Sequence, residues 1–547
     1  MKKNTLLIFS FFYLSVYAQV PNWLWARSSV GYTIGNSIAT DKLGNVYVTG
    51  AFSGDTIKFG NVTLVRIPYK SIYIVKYDFN GNVIWARQDG GDKFDQTFGI
   101  ATDLNGNVFV TGCFFSSSIT FGTTTLYNSS GWNDIFIVKY DPNGNVLWAK
   151  KSGGAGVGEW GHSVATDVNG NVYVTGVYTS QSISFGSIIL NNSNYANSQV
   201  FLVKYDSAGN ALWAKTSSNG SGYGQSVATD INSNVYVTGE FYGTLNLNGT
   251  LVYSSGVVDM FVAKYDSNGN ILWTKSGGGT YFATGKSIAT DIVGNIFVTG
   301  SFQDTTVLGN DTLVSNGVYD IFLVKYDSNG NVIWTKGAGG NYYDDGFCTT
   351  TDVNGNVYIT GGFRSDSIIF DSTVLNHSSY YYSDIFLAKY NPNGNLLWAK
   401  SVKGNKEDVG YSVATGIGSS IYISGIFTSD SIFFSNDTLF DCAPNSYEMF
   451  IAKLRSYDGN TLNVEEFNNS ISVNIFPNPS SGIFTVNLRN CRDAKICVYD
   501  VLGNCLLNKN CRSDVSPKID LSCQPKGIYF VELLSGTERR TEKIIIE

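Results

Sequence analysis

Hydrophobic and polar residues alternate along this chain in short runs of four to eight, broken by clusters of Gly, Asn, Asp and Ser. That period-two pattern with frequent turn signals predicts strands joined by tight turns. One run recurs with small changes, Gly44-Asn45-Val46-Tyr47-Val48-Thr49-Gly50, and its final glycine reappears as Gly112, Gly176, Gly239, Gly300, Gly361 and Gly425. The successive spacings are 62, 64, 63, 61, 61 and 64 residues, so seven copies of one unit follow each other.

Three further markers keep this period. Ser-Ile/Val-Ala-Thr-Asp precedes the glycine run, as in Ser37 to Asp41 and Ser287 to Asp291. An aromatic, two apolar residues and Lys follow it, ending at Lys76, Lys139, Lys204, Lys264, Lys325, Lys389 and Lys453. A Trp, then Ala or Thr, then a basic residue comes last, at Trp25, Trp85, Trp148, Trp213, Trp273, Trp334 and Trp398. In order along a unit these are strands A (Ala-Thr-Asp), B (Val-Tyr-Val), C (the Lys strand) and D (the Trp strand). Four antiparallel strands per unit, repeated seven times, predict an all-β fold: a seven-bladed β-propeller. The unit exceeds the about 40–45 residues of a plain blade, and the excess lies between B and C, where stretches such as Ser182 to Asn192 read as an added hairpin. The chain begins with a lone D strand around Trp23 to Arg27, and its seventh unit stops at strand C. The N-terminal strand is therefore expected to complete blade seven and leave no open edge.

The units, with GNVYVTG and DIFLVKYDSNGNVIWTK, resemble the bacterial seven-bladed β-propeller repeat family over about residues 22 to 455. That resemblance implies a fold and no reaction. After a polar stretch, 456–470, read as a linker, seven short alternating strands predict a small C-terminal β-sandwich over 471–547. This part resembles the type A C-terminal sorting domain of the type IX secretion system. The match rests on Phe476-Pro477-Asn478-Pro479-Ser480-Ser481-Gly482, Tyr499-Asp500-Val501-Leu502-Gly503, Asp520-Leu521-Ser522, Gly527-Ile528-Tyr529-Phe530-Val531 and Lys543. The resemblance implies engagement of the type IX machinery, passage across the outer membrane, removal of the domain by a surface sortase, and often attachment to surface lipopolysaccharide.

Composition narrows the function. Only 15% of the 547 residues are charged and the net charge is −7, which disfavours a nucleic-acid binder. The two histidines, His162 and His377, exclude a multi-histidine metal centre. Lys2 and Lys3, the apolar run Thr5 to Tyr17 and the site Val16-Tyr17-Ala18 read as a signal peptide over 1–18, with the propeller unit taken as 19–455. No other segment reads as a membrane-crossing helix. The expected destination is the cell surface, attached to the outer membrane, or the medium, after passage through the periplasm. Asp-x-x-Gly-Asn, present twice in most units, resembles the start of a calcium loop but lacks the later carboxylates of one. It is read as a tight turn in which Asp caps the backbone and Gly takes positive φ. Of the eight cysteines, five lie in the sorting domain, where sequence fixes no pairing.

Strand direction places both Asp-x-x-Gly-Asn turns on one face of the disc, and the D–A loops and B–C insertions on the other. That variable face is the expected working face. Its candidates are Trp132, Glu159, Trp160, His162, Tyr343 and Asp345, as contacts for a glycan or protein ligand; no cofactor or catalytic group is assigned. The leading expectation is a non-enzymatic binding or display platform. The alternative is a polysaccharide hydrolase or lyase at the channel mouth, for which Glu159, His162, Asp344 and Asp345 are the best local cluster. A quinone-dependent dehydrogenase is a weaker third option.

Overall fold

In the computed structural model the described residues are 21–66, 71–129, 131–156, 158–193, 197–378, 381–435, 437–442, 446–455, 472–489, 493–501, 503–512, 517–535 and 538–547. The signal peptide and linker expected at 1–18 and 456–470 lie outside them. The chain divides into two compact units, Met1–Asp458 and Gly459–Glu547.

The first unit contains seven antiparallel blades, each with its four strands in the order A-B-C-D. In blade three, A is Glu159–Thr166, B is Val172–Tyr178, C is Gln199–Tyr205 and D is Ala211–Ser218. Strands B and C are buried along their whole length, so Val, Ile and aromatic residues fill both faces and pack blade against blade. In blade seven, strand D is the N-terminal segment Trp23–Ser28, paired antiparallel with Glu448–Arg455. Trp23 and Trp25 are buried there. The B–C insertions are two-stranded hairpins, such as Ser182–Phe185 with Ile188–Asn191. They do not widen their own blade. In four blades the hairpin of the following blade pairs with strand D and makes a six-stranded sheet.

A closed hydrogen-bond circle surrounds the axis. The Thr40, Thr102, Thr166, Thr229, Thr290, Thr351 and Thr415 hydroxyls each donate to the carbonyl of the equivalent Thr one blade earlier, at 2.7–2.8 Å. The bond from Thr40 to Thr415 joins the first blade to the seventh. The strand-C lysines and strand-D tryptophans form a second periodic joint. In six blades one carbonyl of the next blade's C–D turn accepts both the Lys Nζ and the Trp Nε1 hydrogen; Ser207 O, for example, accepts from Lys139 at 3.1 Å and Trp148 at 3.1 Å. Each lysine also lies over the strand-B aromatic ring of its own blade. Strands C and D of blade seven are not consecutive in the chain, so the joint between blades six and seven has no continuous C–D turn, and Trp398 Nε1 is buried without a partner among the described residues.

The turns explain their own sequence. In blade three, Asp167 Oδ1 accepts from the Asn169 and Asn171 N–H groups at 2.9 Å, and Oδ2 accepts from Asn171 Nδ2 at 2.8 Å and Tyr173 OH at 3.0 Å. Both carboxylate oxygens face donors, which is turn geometry. Gly170 sits at φ +77°; in blade four Ser233 takes the same place at φ +60°.

In the second unit, a three-stranded sheet (Ser472–Phe476, Ile483–Arg489, Lys518–Asp520) and a four-stranded one (Cys505–Arg512, Asp493–Tyr499, Gly527–Ser535, Glu538–Ile546) enclose a core that includes Phe484, Val486, Ile496, Val531 and Ile544. Asp500 and Gly503 form the same capped turn, Asn504 N–H donating to Asp500 Oδ1 at 2.9 Å with Gly503 at φ +85°. Gly482 leaves no room for a side chain, since a Cβ there would lie 2.6 Å from Ser522 Cα.

Candidate functional site

The glycine that ends each GNVYVTG run faces a β-bulge in strand A. In blade three the register shifts between Gly161 and Ser163, which leaves His162 as the extra residue. A Cβ on Gly176 would stand 1.8 Å from the Trp160 carbonyl oxygen, so only Gly fits opposite the bulge. The same shift occurs in all seven A strands and isolates Asn36, Phe98, His162, Gln225, Lys286, Phe347 and Tyr411. All seven line one cavity of about 780 Å³ on the propeller axis. The fold thus delivers one side chain per blade to the channel and does not dictate which.

The cavity wall differs around the ring. On blades two and three Phe98 meets His162 edge to face at 5.6 Å, and His162 Nδ1 lies 2.9 Å from the Gly224 carbonyl. Burial holds His162 below the usual imidazole range, so it is neutral at neutral pH. Blades five to seven carry charge and rings. Lys286 Nζ donates to Asp345 Oδ1 at 2.6 Å and lies 4.5 Å above the Phe347 ring. Burial opposes ionisation of Asp345, but Lys286, the Ser301 hydroxyl and Arg364 together hold it below the usual carboxylate range. Arg364 Nη2 pairs with Glu407 Oε1 at 2.9 Å, and its Nε donates to Ser383 Oγ at 3.0 Å. Phe347 and Tyr411 meet edge to face at 5.4 Å. Phe282, Tyr319 and Tyr343 form a row of rings 5.4 and 5.3 Å apart.

Several sequence expectations need correction. Glu159, Trp160, His162, Asp344 and Asp345 are not in D–A loops; they begin the A strands Glu159–Thr166 and Asp344–Thr351. Glu159 is fully buried and cannot touch a ligand, and the same holds for Asp344. Both belong to a repeated latch. Asp95, Glu159, Asp344 and Asp408 occupy equivalent positions in four blades, and each accepts a hydrogen bond from a buried serine just after strand B: Ser116, Ser180, Ser365 and Ser429. Burial raises all four acids, Asp95 and Asp344 to about 6, Asp408 to about 7 and Glu159 to about 8, the last helped by nearby Asp134. They differ from blade to blade because Thr33, Gly222 and Ala283 fill the site elsewhere, which disguised a structural position as an irregular one.

Of the other candidates, His162, Tyr343 and Asp345 line the cavity together. Trp132 is 52% exposed on a B–C loop, and Trp160 is half-buried beside Gly158; neither lines the cavity. Lys286, Phe347, Tyr411, Arg364 and Glu240 were not singled out from sequence. The signal for the first three was available: each stands just before the Ser-x-Ala-Thr marker, or its Cys-Thr-Thr-Thr variant, where the residue changes from unit to unit. Among the described residues no group of three or more His, Cys, Asp or Glu is arranged to hold a metal ion, and no helix is long and apolar enough to cross a membrane.

Parts of the chain are similar to known proteins. Residues 474–547 match the secretion system C-terminal sorting domain, and residues 29–51 match the β-propeller repeat. The chain is 28% identical over 537 residues to an uncharacterized WD repeat-containing protein of Acanthamoeba polyphaga mimivirus, covering 79% of this chain and 38% of that protein. It is 30% identical over 128 residues to the regulatory protein FlaEY of Caulobacter vibrioides, covering 23% of this chain and 13% of that one. The chain therefore spans well under half the length of these curated relatives. Among solved structures, Sqt1 from Chaetomium thermophilum aligns over 85% of this chain and 96% of its own, at 10% identity and a TM-score of 0.38. The chain thus has a β-propeller fold with a β-propeller repeat match at residues 29–51, and residues 474–547 are a type IX secretion C-terminal sorting domain that marks it for export to the cell surface or beyond it.

Proposed function

We propose that the exported propeller is a binding module whose ligand, a glycan or a protein segment, sits in the axial cavity on the loop face. One observation carries this reading. The seven bulge residues, different in kind from blade to blade, converge on a single cavity of about 780 Å³, a size suited to a few sugar rings or a short peptide. Aromatic faces and amide groups there supply many modest contacts. The sorting domain is proposed to be removed by a surface sortase, leaving the propeller on the outer membrane or free.

The alternative enzyme reading loses two of its four residues, because Glu159 and Asp344 are sealed in serine latches. The test is a panel of surface glycans and peptides offered to the full chain and to a Phe347→Ala/Tyr411→Ala variant. A panel member that binds the native chain and loses at least ten-fold affinity for the variant, at unchanged melting temperature, supports the reading. Turnover of a panel polysaccharide that Asp345→Asn abolishes would overturn it in favour of an enzyme.

A further inference from the structure

Glu240 is the unexplained charge of the cavity. It lies in strand B of blade four, Val235–Tyr242, directly after the bulge-facing Gly239, and lines the cavity. The equivalent residues in the other blades are Ala51, Cys113, Val177, Ser301, Gly362 and Ile426, so the fold requires no charge there. The carboxyl is half-buried, and burial pushes it above the usual carboxylate range while Lys286 pulls the other way. No hydrogen bond or ion pair reaches it among the described residues. The two other acids of the cavity are satisfied: Asp345 by Lys286 at 2.6 Å, Glu407 by Arg364 at 2.9 Å. This carboxylate has lost part of its hydration, so a cationic ligand group that supplies a partner is favoured there, and Lys286 is already engaged.

From this we infer that Glu240 receives the ammonium group of an amino sugar whose ring stacks on the Phe282–Tyr319–Tyr343 row. The inference rests on the cavity reading above and narrows its ligand class. The row of rings, each tilted about 50° to the next, favours a sugar over a lysine side chain. A pyranose offers a flat C–H face to aromatic rings while its ammonium meets the carboxylate. A lysine stem would use Glu240 and leave the row of rings bare. An anionic sugar would have to displace Asp345 from Lys286 or Glu407 from Arg364, and would still leave Glu240 unpaired.

The experiment titrates the full chain by calorimetry with three probes: a β-1,4-linked glucosamine hexamer, the N-acetylglucosamine hexamer and hexalysine. The glucosamine hexamer is expected to bind at least ten-fold more tightly than either other probe. Glu240→Gln should remove at least ten-fold of that affinity at unchanged melting temperature. Equal binding of both sugar hexamers, unaffected by Glu240→Gln, overturns the ammonium assignment while leaving the cavity reading intact. Tighter binding of hexalysine overturns the sugar. No binding of any probe also overturns the inference, and the cavity reading then stands or falls on the Phe347→Ala/Tyr411→Ala panel alone.

Discussion

The two ends of strand A obey different rules. At the turn face it ends in the threonine circle and, in six of seven blades, an Asp-capped turn, and these parts change little from blade to blade. A few residues earlier, at the bulge, the same strand presents Asn36, Phe98, His162, Gln225, Lys286, Phe347 and Tyr411, with no two neighbouring blades alike except for the paired rings of Phe347 and Tyr411. The first end fixes spacing and closes the ring, so it tolerates little. The second is held by backbone geometry and by a glycine on the facing strand, which frees its side chains for other work. Sequence regularity here reads out mechanical duty, and its local loss marks the residues that line the axial cavity.

The largest effect should come from breaking the ring. Deleting Trp23–Ser28 removes two buried tryptophans and exposes the edge of Glu448–Arg455. A cost on the order of 6 kcal/mol or more is expected from the lost burial, seen as a marked fall in melting temperature by circular dichroism. An unchanged melt would mean that closure is not mechanical. Next, Asp167→Ala at the turn end orphans the Asn169 and Asn171 N–H groups and the Tyr173 hydroxyl. It should cost about 2 kcal/mol in denaturant unfolding while leaving ligand affinity within two-fold.

The buried latches sharpen the comparison through pH. Two latch acids, Glu159 and Asp408, and the strand-C acid Glu448 are raised by burial to about 8, 7 and 7. A raised acid keeps in the native state a proton that the unfolded chain has already released. Stability therefore falls as pH rises from the unfolded carboxylate range towards these values. The melting temperature should be higher at pH 5 than at pH 7. Above pH 7, Lys453, lowered by burial to about 7, contributes with the opposite sign, so the slope is read below that point. Glu159→Gln keeps an acceptor for Ser180 and should flatten part of the slope; an identical slope in this variant would remove Glu159 from the account. The smallest stability effect belongs to the bulge. Gln225→Ala should shift stability by no more than about 0.5 kcal/mol, checked by the same melts, because the bulge is held by main chain and Gly239.

Most of the framework was legible in the sequence because it repeats. The markers around Trp148 and Lys139 located strands whose partners, once seen, proved to be a shared carbonyl on the next blade. The destination of the B–C hairpins was not legible, since pairing with the previous blade depends on how blades are stacked and not on local pattern. The candidate site was half legible. His162, Tyr343 and Asp345 stood out as departures from the repeat and do line the cavity. Glu159 and Asp344 stood out for the same reason and are latches, because a position occupied by acid in only four blades imitates irregularity. Lys286 and Phe347 escaped notice because a bulge adds one residue without changing the apparent strand, and its marks are the facing glycine and the variable position before the repeated Ser or Cys.

The central claim, that the bulge end of strand A is the site and the turn end is scaffold, is tested most directly by hydrogen–deuterium exchange on the full chain with and without the tightest-binding member of the glycan and peptide panel. The account predicts slowed exchange around Gly285–Ser287, Gly346–Cys348 and Gly410–Ser412, with the Asp-x-x-Gly-Asn turns unchanged. Protection confined to the turns, with the bulges unaffected, would contradict it.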